Sequence, residues 1–311
     1  MDNSSQISQN QDDEIDLREL FSVLWAGKVK IIAITAVFAF ASVIYALSVP
    51  NQYRATVVLA PVQTDRGGLS GPLGQLGGLA SLAGVSIGAR ESSESQIAQQ
   101  IMQSWSFVEE FIADNDLAVE VYAAEGWDKS QNQLSIDENI YDIEKGQWLI
   151  DNDDSGELRP PTSWKLFKSF KSRLAVSEDI KSGLVSVSIE FYSPKISKQW
   201  LDMYVDAINM HMQERQIEKV SRNIKYLENQ IEKTPIAEMQ EVFYTIIEEQ
   251  IKSKMLAEAS PDYAFSAVSP SMVPEEKSQP KRAFICILGT LLGAMLSVLW
   301  VLVAHYARKS D

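Results

Sequence analysis

The stretch "AFICILGTLLGAMLSVLWVLVA", Ala283 to Ala304, carries no charged side chain. A helix rises about 1.5 Å per residue and the hydrocarbon core of a bilayer is about 30 Å thick, so about 20 apolar residues cross it. A core helix of a water-soluble domain would keep one polar face, and this run has none. A second uncharged run, "IIAITAVFAFASVIYALSV" (Ile31 to Val49), meets the same requirement. Its competing reading is a signal peptide. Against that, it starts behind an acidic leader, is long for a signal core, and is followed by Pro50 and Asn51 rather than a small-x-small cleavage site. Two membrane-spanning helices are expected, over residues 29–49 and 283–305.

Two spans put residues 1–28 and 306–311 on one side and 50–282 on the other. Arg18, Lys28 and Lys30 precede the first run, and Arg308 and Lys309 follow the second. Only Arg54 lies close to the first exit, although Lys281 and Arg282 abut the second entry. The positive-inside rule then favours cytoplasmic termini, with a mixed signal at the second span. Gly289, Gly293 and Ser297 form a small-xxx-small ladder that lets helices approach closely, and Thr35, Ala39, Ser42 and Ala46 share one face of the first span. The two spans are expected to pack together, within one chain or between chains. Pro270, Pro274 and Pro280 favour an extended entry to the second span, and Lys281 and Arg282 mark its interface.

The whole chain has 311 residues, a formal net charge of -14 and 45% hydrophobic residues. That composition supports a substantial folded domain and opposes nucleic acid as a partner, because phosphate binding needs a basic face. Cys286 is the single cysteine, which excludes an intrachain disulfide and a Cys-based zinc site. His211 and His305 are the only histidines, which argues against a His-rich metal centre.

Between the spans, "YRATVVLAP" (Tyr53 to Pro61) and "YAFSAVS" (Tyr263 to Ser269) have strand character next to the two membrane crossings, so one membrane-proximal sheet using both is expected. In "SGLVSVSIEFYSP", Val185, Val187, Ile189 and Phe191 alternate with Ser186, Ser188, Glu190 and Tyr192, the period of a strand. Helical segments are expected over Glu94 to Asp116 and Ser163 to Arg173, giving an α+β domain. Before the first span, "DEIDLRELFSVLWAGK" reads as a short helix with Trp25 at headgroup level, lying in the interface or extending the span.

After Pro194 the period changes. Trp200, Tyr204, Ala207, Ile208 and Met212 begin an apolar stripe, and Ile217, Val220, Ile224, Leu227 and Ile231 continue it at coiled-coil steps of three and four. A helix from Lys195 to Lys233 would be roughly 55–60 Å long. Thr234 and Pro235 interrupt it, and a second helical pattern follows, so the helical extension covers 195–258. A helix of that length projects from its base. Its stripe then needs a partner, either a returning segment of the same chain or a neighbouring subunit.

"GGLSGPLGQLGGLASLAGVSIG" (Gly67 to Gly88) is the most biased tract. It lacks the lysine of a phosphate-binding loop and opens no GxGxxG helix, and a flexible loop is the simpler reading. Met1 to Asp13 reads as disordered, and "DNDDSG" (Asp151 to Gly156) as a solvated turn. No H-E-x-x-H or kinase signature is present, and no catalytic or cofactor-binding residue is assigned.

Four stretches resemble the Wzz-type chain-length determinants, the polysaccharide co-polymerases without a kinase domain. They are "IDLRELFSVLWAGKVKII", "PNQYRATVVLAPV", "LAVSEDIKSGLVSVSIEFYSPKISKQWLDMYVDAIN" and "LAEASPDYAFSAVSPSMVPEEKSQPKRAF". The last is similar to the family's proline-rich segment before its second membrane helix. Gln279 before Pro280, and Ile196-Ser197 where alanines are common, depart from the pattern, and Ser92 to Pro161 matches least. The resemblance implies an inner-membrane protein whose bulk is periplasmic: an α/β base with a long helical extension, assembled as a ring of copies. It also implies a Wzy-type polymerase and a lipid-linked glycan as partners, control of O-antigen length in lipopolysaccharide, and no reaction catalysed by the chain. A co-polymerase for capsule, exopolysaccharide or a common antigen is the related alternative. A two-span sensor with a partner-supplied cytoplasmic effector is the alternative of another class.

Overall fold

The computed structural model describes residues 17–62, 89–150 and 158–309. The tracts Met1 to Asp13, Gly67 to Gly88 and Asp151 to Gly156 lie outside the described residues. In chain order the elements are α1 (Leu17–Ala26), α2 (Lys28–Ser48), β1 (Tyr53–Pro61), α3 (Ala89–Met102), α4 (Trp105–Asp114) and α5 (Ala118–Ala123). The strands β2 (Ala124–Asp128), β3 (Gln133–Ile136), β4 (Tyr141–Asp142) and β5 (Gln147–Trp148) follow. Then come α6 (Ser163–Lys171), β6 (Leu174–Glu178), β7 (Val185–Phe191), α7 (Pro194–Lys233), α8 (Ala237–Glu258), β8 (Phe265–Ser269) and α9 (Arg282–Lys309). They form two compact units, one of Met1–Pro50 with Gln279–Asp311 and one of Asn51–Ser278.

In the larger unit a four-stranded antiparallel sheet has the order β6-β7-β1-β8. The two strands that flank the apolar helices in sequence are therefore neighbours, Leu59 opposite Ala267, with a register shift between Val58 and Leu59. Strand alternation does the sorting. Val185, Val187, Ile189 and Phe191 are buried, as are Ala55, Val57 and Leu59 of the paired strand, while Ser186 and Ser188 lie on the other face. The single long helical segment expected before Asp116 is two helices. Ser104 ends α3 and caps α4, its hydroxyl accepting the Phe107 amide at 3.4 Å.

The core is aromatic. Phe111 packs edge-on to Tyr204 at 4.9 Å between ring centroids, and Phe191 lies 4.3 Å from Trp200. Phe107 and Phe170 complete this cluster beneath the first half of α7. The Tyr204 hydroxyl donates to the Met102 carbonyl, and burial pushes its pKa far above the ordinary phenol value. Asn209 fastens the edge of the sheet. Its carboxamide oxygen accepts the Ala264 and Phe265 amides at 2.9 and 2.8 Å, while its nitrogen donates to the Phe265 carbonyl at 2.9 Å. A buried amide with both ends satisfied fixes the start of β8 against α7.

Candidate interaction surfaces

Among the described residues no group of histidine, cysteine, aspartate and glutamate has the arrangement of a metal site. The features that remain are two helix pairs and the segment that leads into α9.

Within the smaller unit α2 and α9 are the two helices, among the described residues, long and apolar enough to cross a membrane. They run antiparallel. A Cβ placed on Gly289 would lie 2.5 Å from Ser42 Cβ, and one on Gly293 would lie 2.5 Å from Phe38 Cβ. Both distances are closer than carbon atoms tolerate, so hydrogen is the only side chain that permits this approach. Ser297 is fully buried, 3.4 Å from Thr35 Oγ1, and its hydroxyl donates to the Ala294 carbonyl. Ser42 donates to the Ala39 carbonyl at 2.8 Å, closing its polar group within its own helix. Gly27, not singled out in the sequence, makes a third close approach, where a Cβ would lie 2.5 Å from Val301 Cγ1. It separates α1 from α2. Its only sequence signal is a glycine between two helical runs. Trp25 is exposed, with Lys28 Nζ 4.8 Å from its ring centre.

Within the larger unit α7 and α8 form a hairpin. Thr234 closes α7, its hydroxyl donating to Gln230, and Pro235 supplies no amide to continue the ladder. The returning helix starts at Ala237, two residues after Pro235. At the tip, Gln240 Nε2 donates to the carbonyls of Ile231 and Thr234 at 3.2 and 2.8 Å, satisfying groups orphaned where α7 ends. At the base, Gln213 Nε2 donates to the carbonyls of Ala257 and Ser260 at 2.7 and 3.1 Å. Neither glutamine stood out in the sequence, because an amide on a helix surface has no periodicity to mark it.

The stripe of α7 is unevenly covered. Ile217 packs against the domain core and Val220 is 2% exposed, whereas Ile224, Leu227 and Ile231 are half-buried. On α8, Ile247 is buried, but Met239, Val242, Tyr244, Ile251, Met255 and Leu256 are exposed. On a helical wheel these fall to both sides of the face that meets α7. The hairpin is thus apolar inside and apolar on both flanks.

The prolines sit in contrasting settings. Pro270 is exposed and Pro274 half-buried in the larger unit, and Pro280, after a cis Gln279–Pro280 peptide, is buried in the smaller one. Lys281 is exposed and Arg282 half-buried where α9 begins. Between the first two prolines Ser271 is buried and donates to the Asp202 carboxylate, whose other oxygen meets Lys198 Nζ at 2.5 Å. Farther on, the Ser278 amide donates to the Gln52 carbonyl at 2.8 Å, and its hydroxyl bonds the Glu190 carboxylate, which also accepts from Arg54 at 3.1 Å. One turn along α7 from Asp202, burial, followed by the charges of Asp202 and Asp262, raises the Asp206 carboxyl above its ordinary pKa.

A family model described as "Wzz: Chain length determinant protein" matches residues 13–115. The match is to the first part of the chain. It runs from the approach to α1 through the first apolar helix and β1 to the end of α4. Three solved structures of Wzz-type or co-polymerase description are similar to the chain. A full-length bacterial polysaccharide co-polymerase is 14% identical with a TM-score of 0.43, covering 95% of this chain and 99% of that one. A fragment of the Salmonella Typhimurium co-polymerase WzzB is 11% identical with a TM-score of 0.30, over 73% of this chain and 99% of the fragment. A mutant of a Shigella flexneri lipopolysaccharide O-antigen chain-length regulator is 9% identical with a TM-score of 0.24, over 73% and 100%. No curated protein matches the chain at a significant level.

Proposed function

We propose that the chain is a non-enzymatic regulator of lipopolysaccharide O-antigen chain length, held in the bacterial inner membrane with residues 50–282 in the periplasm and working with a Wzy-type polymerase. The Wzz match over residues 13–115 carries this reading. The two apolar helices support the membrane location, and the close approaches of Gly289 to Ser42 and of Gly293 to Phe38, with Ser297 beside Thr35, support packing between them. A homo-oligomer is part of the proposal. The apolar flanks of α8 expose side chains that one chain leaves uncovered, and an assembly of copies around the hairpin removes them from water. In this reading the half-buried Ile224, Leu227 and Ile231 set the geometry of the hairpin, and the flanks of α8 meet the neighbours.

The deciding experiment is deletion of the gene followed by electrophoresis of surface lipopolysaccharide. The modal O-antigen length is expected to broaden or shift and to be restored by the intact gene. An unchanged ladder, with an altered size of capsule, exopolysaccharide or a common antigen, would move the function to that glycan. Native mass determination in detergent is expected to give a multiple of the 34.7 kDa chain.

A further inference from the structure

The two sides of α6 are built for different surroundings. Its inner face carries Phe170, fully buried against Phe111 and Trp200, with Leu166 half-buried one turn before it. Its outer face carries Trp164, Phe167, Lys168 and Lys171, at the i, i+3, i+4 and i+7 positions that share one side of a helix. Trp164 is 53% exposed, Phe167 is half-buried and both lysines are exposed. The two rings lie 5.2 Å apart between centroids, tilted by 34°, and form one platform. Lys168 Nζ stands 5.5 Å from the Trp164 ring centre, and Lys171 Nζ 5.6 Å from that of Phe167.

The charge of this face runs against that of the chain, which has 42 acidic and 28 basic residues. Other lysines meet carboxylates, as Lys145 does with Asp142, Lys198 with Asp202 and Lys252 with Glu248. Among the described residues Lys168 and Lys171 meet none. Lys171 Nζ instead donates to the Gln103 carbonyl at 3.0 Å, which brings this end of α6 to the junction of α3 and α4. There Gln96, Gln99, Gln100 and Ser104 line an open cleft with Glu178, which accepts from Gln99 at 2.9 Å. Amides and a hydroxyl in one cleft offer both donors and acceptors.

Each component matches an acidic saccharide. The face of an aromatic ring is electron-rich, and a pyranose turns polarised C–H groups towards it. A carboxylate on the sugar meets the ammonium groups, and its hydroxyls exchange hydrogen bonds with the cleft. A lipid surface needs another arrangement, with aromatic residues on one face of a helix and lysines on the opposite one. On α6 both kinds share a face, and the opposite face is occupied by the core. The centre of a protein–protein interface is depleted of lysine, whereas here a lysine stands at each ring.

We infer that the outer face of α6 is a binding site for a carboxylate-bearing saccharide, with Trp164 and Phe167 stacking on a sugar ring and Lys168 and Lys171 pairing with its acid group. The inference rests on the proposed role in glycan length for its ligand, and it assigns that glycan to the acidic class.

The test is calorimetric titration of the purified full chain in detergent with two probes of equal length, an oligogalacturonate and a neutral malto-oligosaccharide. The oligogalacturonate is expected to bind about tenfold more tightly or better, and added salt to narrow the difference. Trp164→Ala, and separately Lys168→Gln combined with Lys171→Gln, are each expected to weaken its binding about tenfold with native circular dichroism retained. Absence of oligogalacturonate binding, equal binding of the two probes, or binding that neither variant changes overturns the site. Binding present in detergent but lost in phosphatidylglycerol nanodiscs would mean that lipid covers the face. A smaller native mass for Trp164→Ala would mean that a neighbouring copy covers it. Either result overturns the proposal. The length-regulator reading fails separately: an unchanged lipopolysaccharide ladder on gene deletion sinks that reading, while oligogalacturonate binding weakened in both variants still upholds the site.

Discussion

The chain contains two antiparallel helix pairs that are held together by different means. In the pair α2 and α9, Gly289 meets Ser42 and Gly293 meets Phe38 at distances that leave no room for a Cβ. In the hairpin α7 and α8, Val220 and Ile247 are buried at mid-length and Gln213 and Gln240 tie the two ends. The difference follows the surroundings each pair is composed for. Water drives aliphatic side chains together, so branched residues along a seam suffice to hold a hairpin. Lipid tails are as apolar as leucine and supply no such drive, and helices there associate through close van der Waals contact between small residues.

That contrast can be broken by substitution. Ile247→Ala removes a buried aliphatic from the hairpin and is expected to have the largest effect, destabilising the larger unit by about 2–3 kcal/mol. Chemical denaturation of the purified protein in detergent measures it, and a loss below about 0.5 kcal/mol would mean that the seam is not what holds the hairpin. Gly293→Leu comes next. Forcing a side chain against Phe38 is expected to cost about 1–3 kcal/mol in the apolar pair and to leave the hairpin intact. Thermal unfolding followed with a label at Cys286 separates the two regions, and an unchanged transition there would remove the close contact from the account. The smallest effect is expected from Gln240→Ala, which frees the Ile231 and Thr234 carbonyls at a tip where water can replace the amide, a loss of about 1 kcal/mol. It should appear as faster amide hydrogen exchange in residues flanking Thr234, with residues around Trp200 unaffected.

Much of the fold was legible because periodicity is a property of the chain. The alternation Val185, Val187, Ile189, Phe191 marks one buried strand face, and the three-and-four steps from Ile217 mark a helix seam. The less legible parts were local or distant. The break at Ser104 divides a run whose apolar pattern continues through it, because a cap depends on one hydroxyl rather than on a period. Leu174–Glu178 is a strand only because Val185–Phe191 lies beside it. Glu190 sits among the outward-facing serines by its spacing, yet it is buried, since Arg54 and Ser278 from distant parts of the chain enclose it.

By itself the sequence determined which segments are apolar enough for lipid, which alternate as strands, and that a long helix stops at Pro235. Each of these depends on the order of neighbouring residues. Only the tertiary structure decided that the second helix returns along the first, that β1 and β8 share an edge, and that α6 buries Phe170 and leaves Trp164 outside. Those outcomes are set by contacts between residues far apart in the chain, such as Gln213 with Ala257 and Ser278 with Gln52, for which a linear pattern carries no signal.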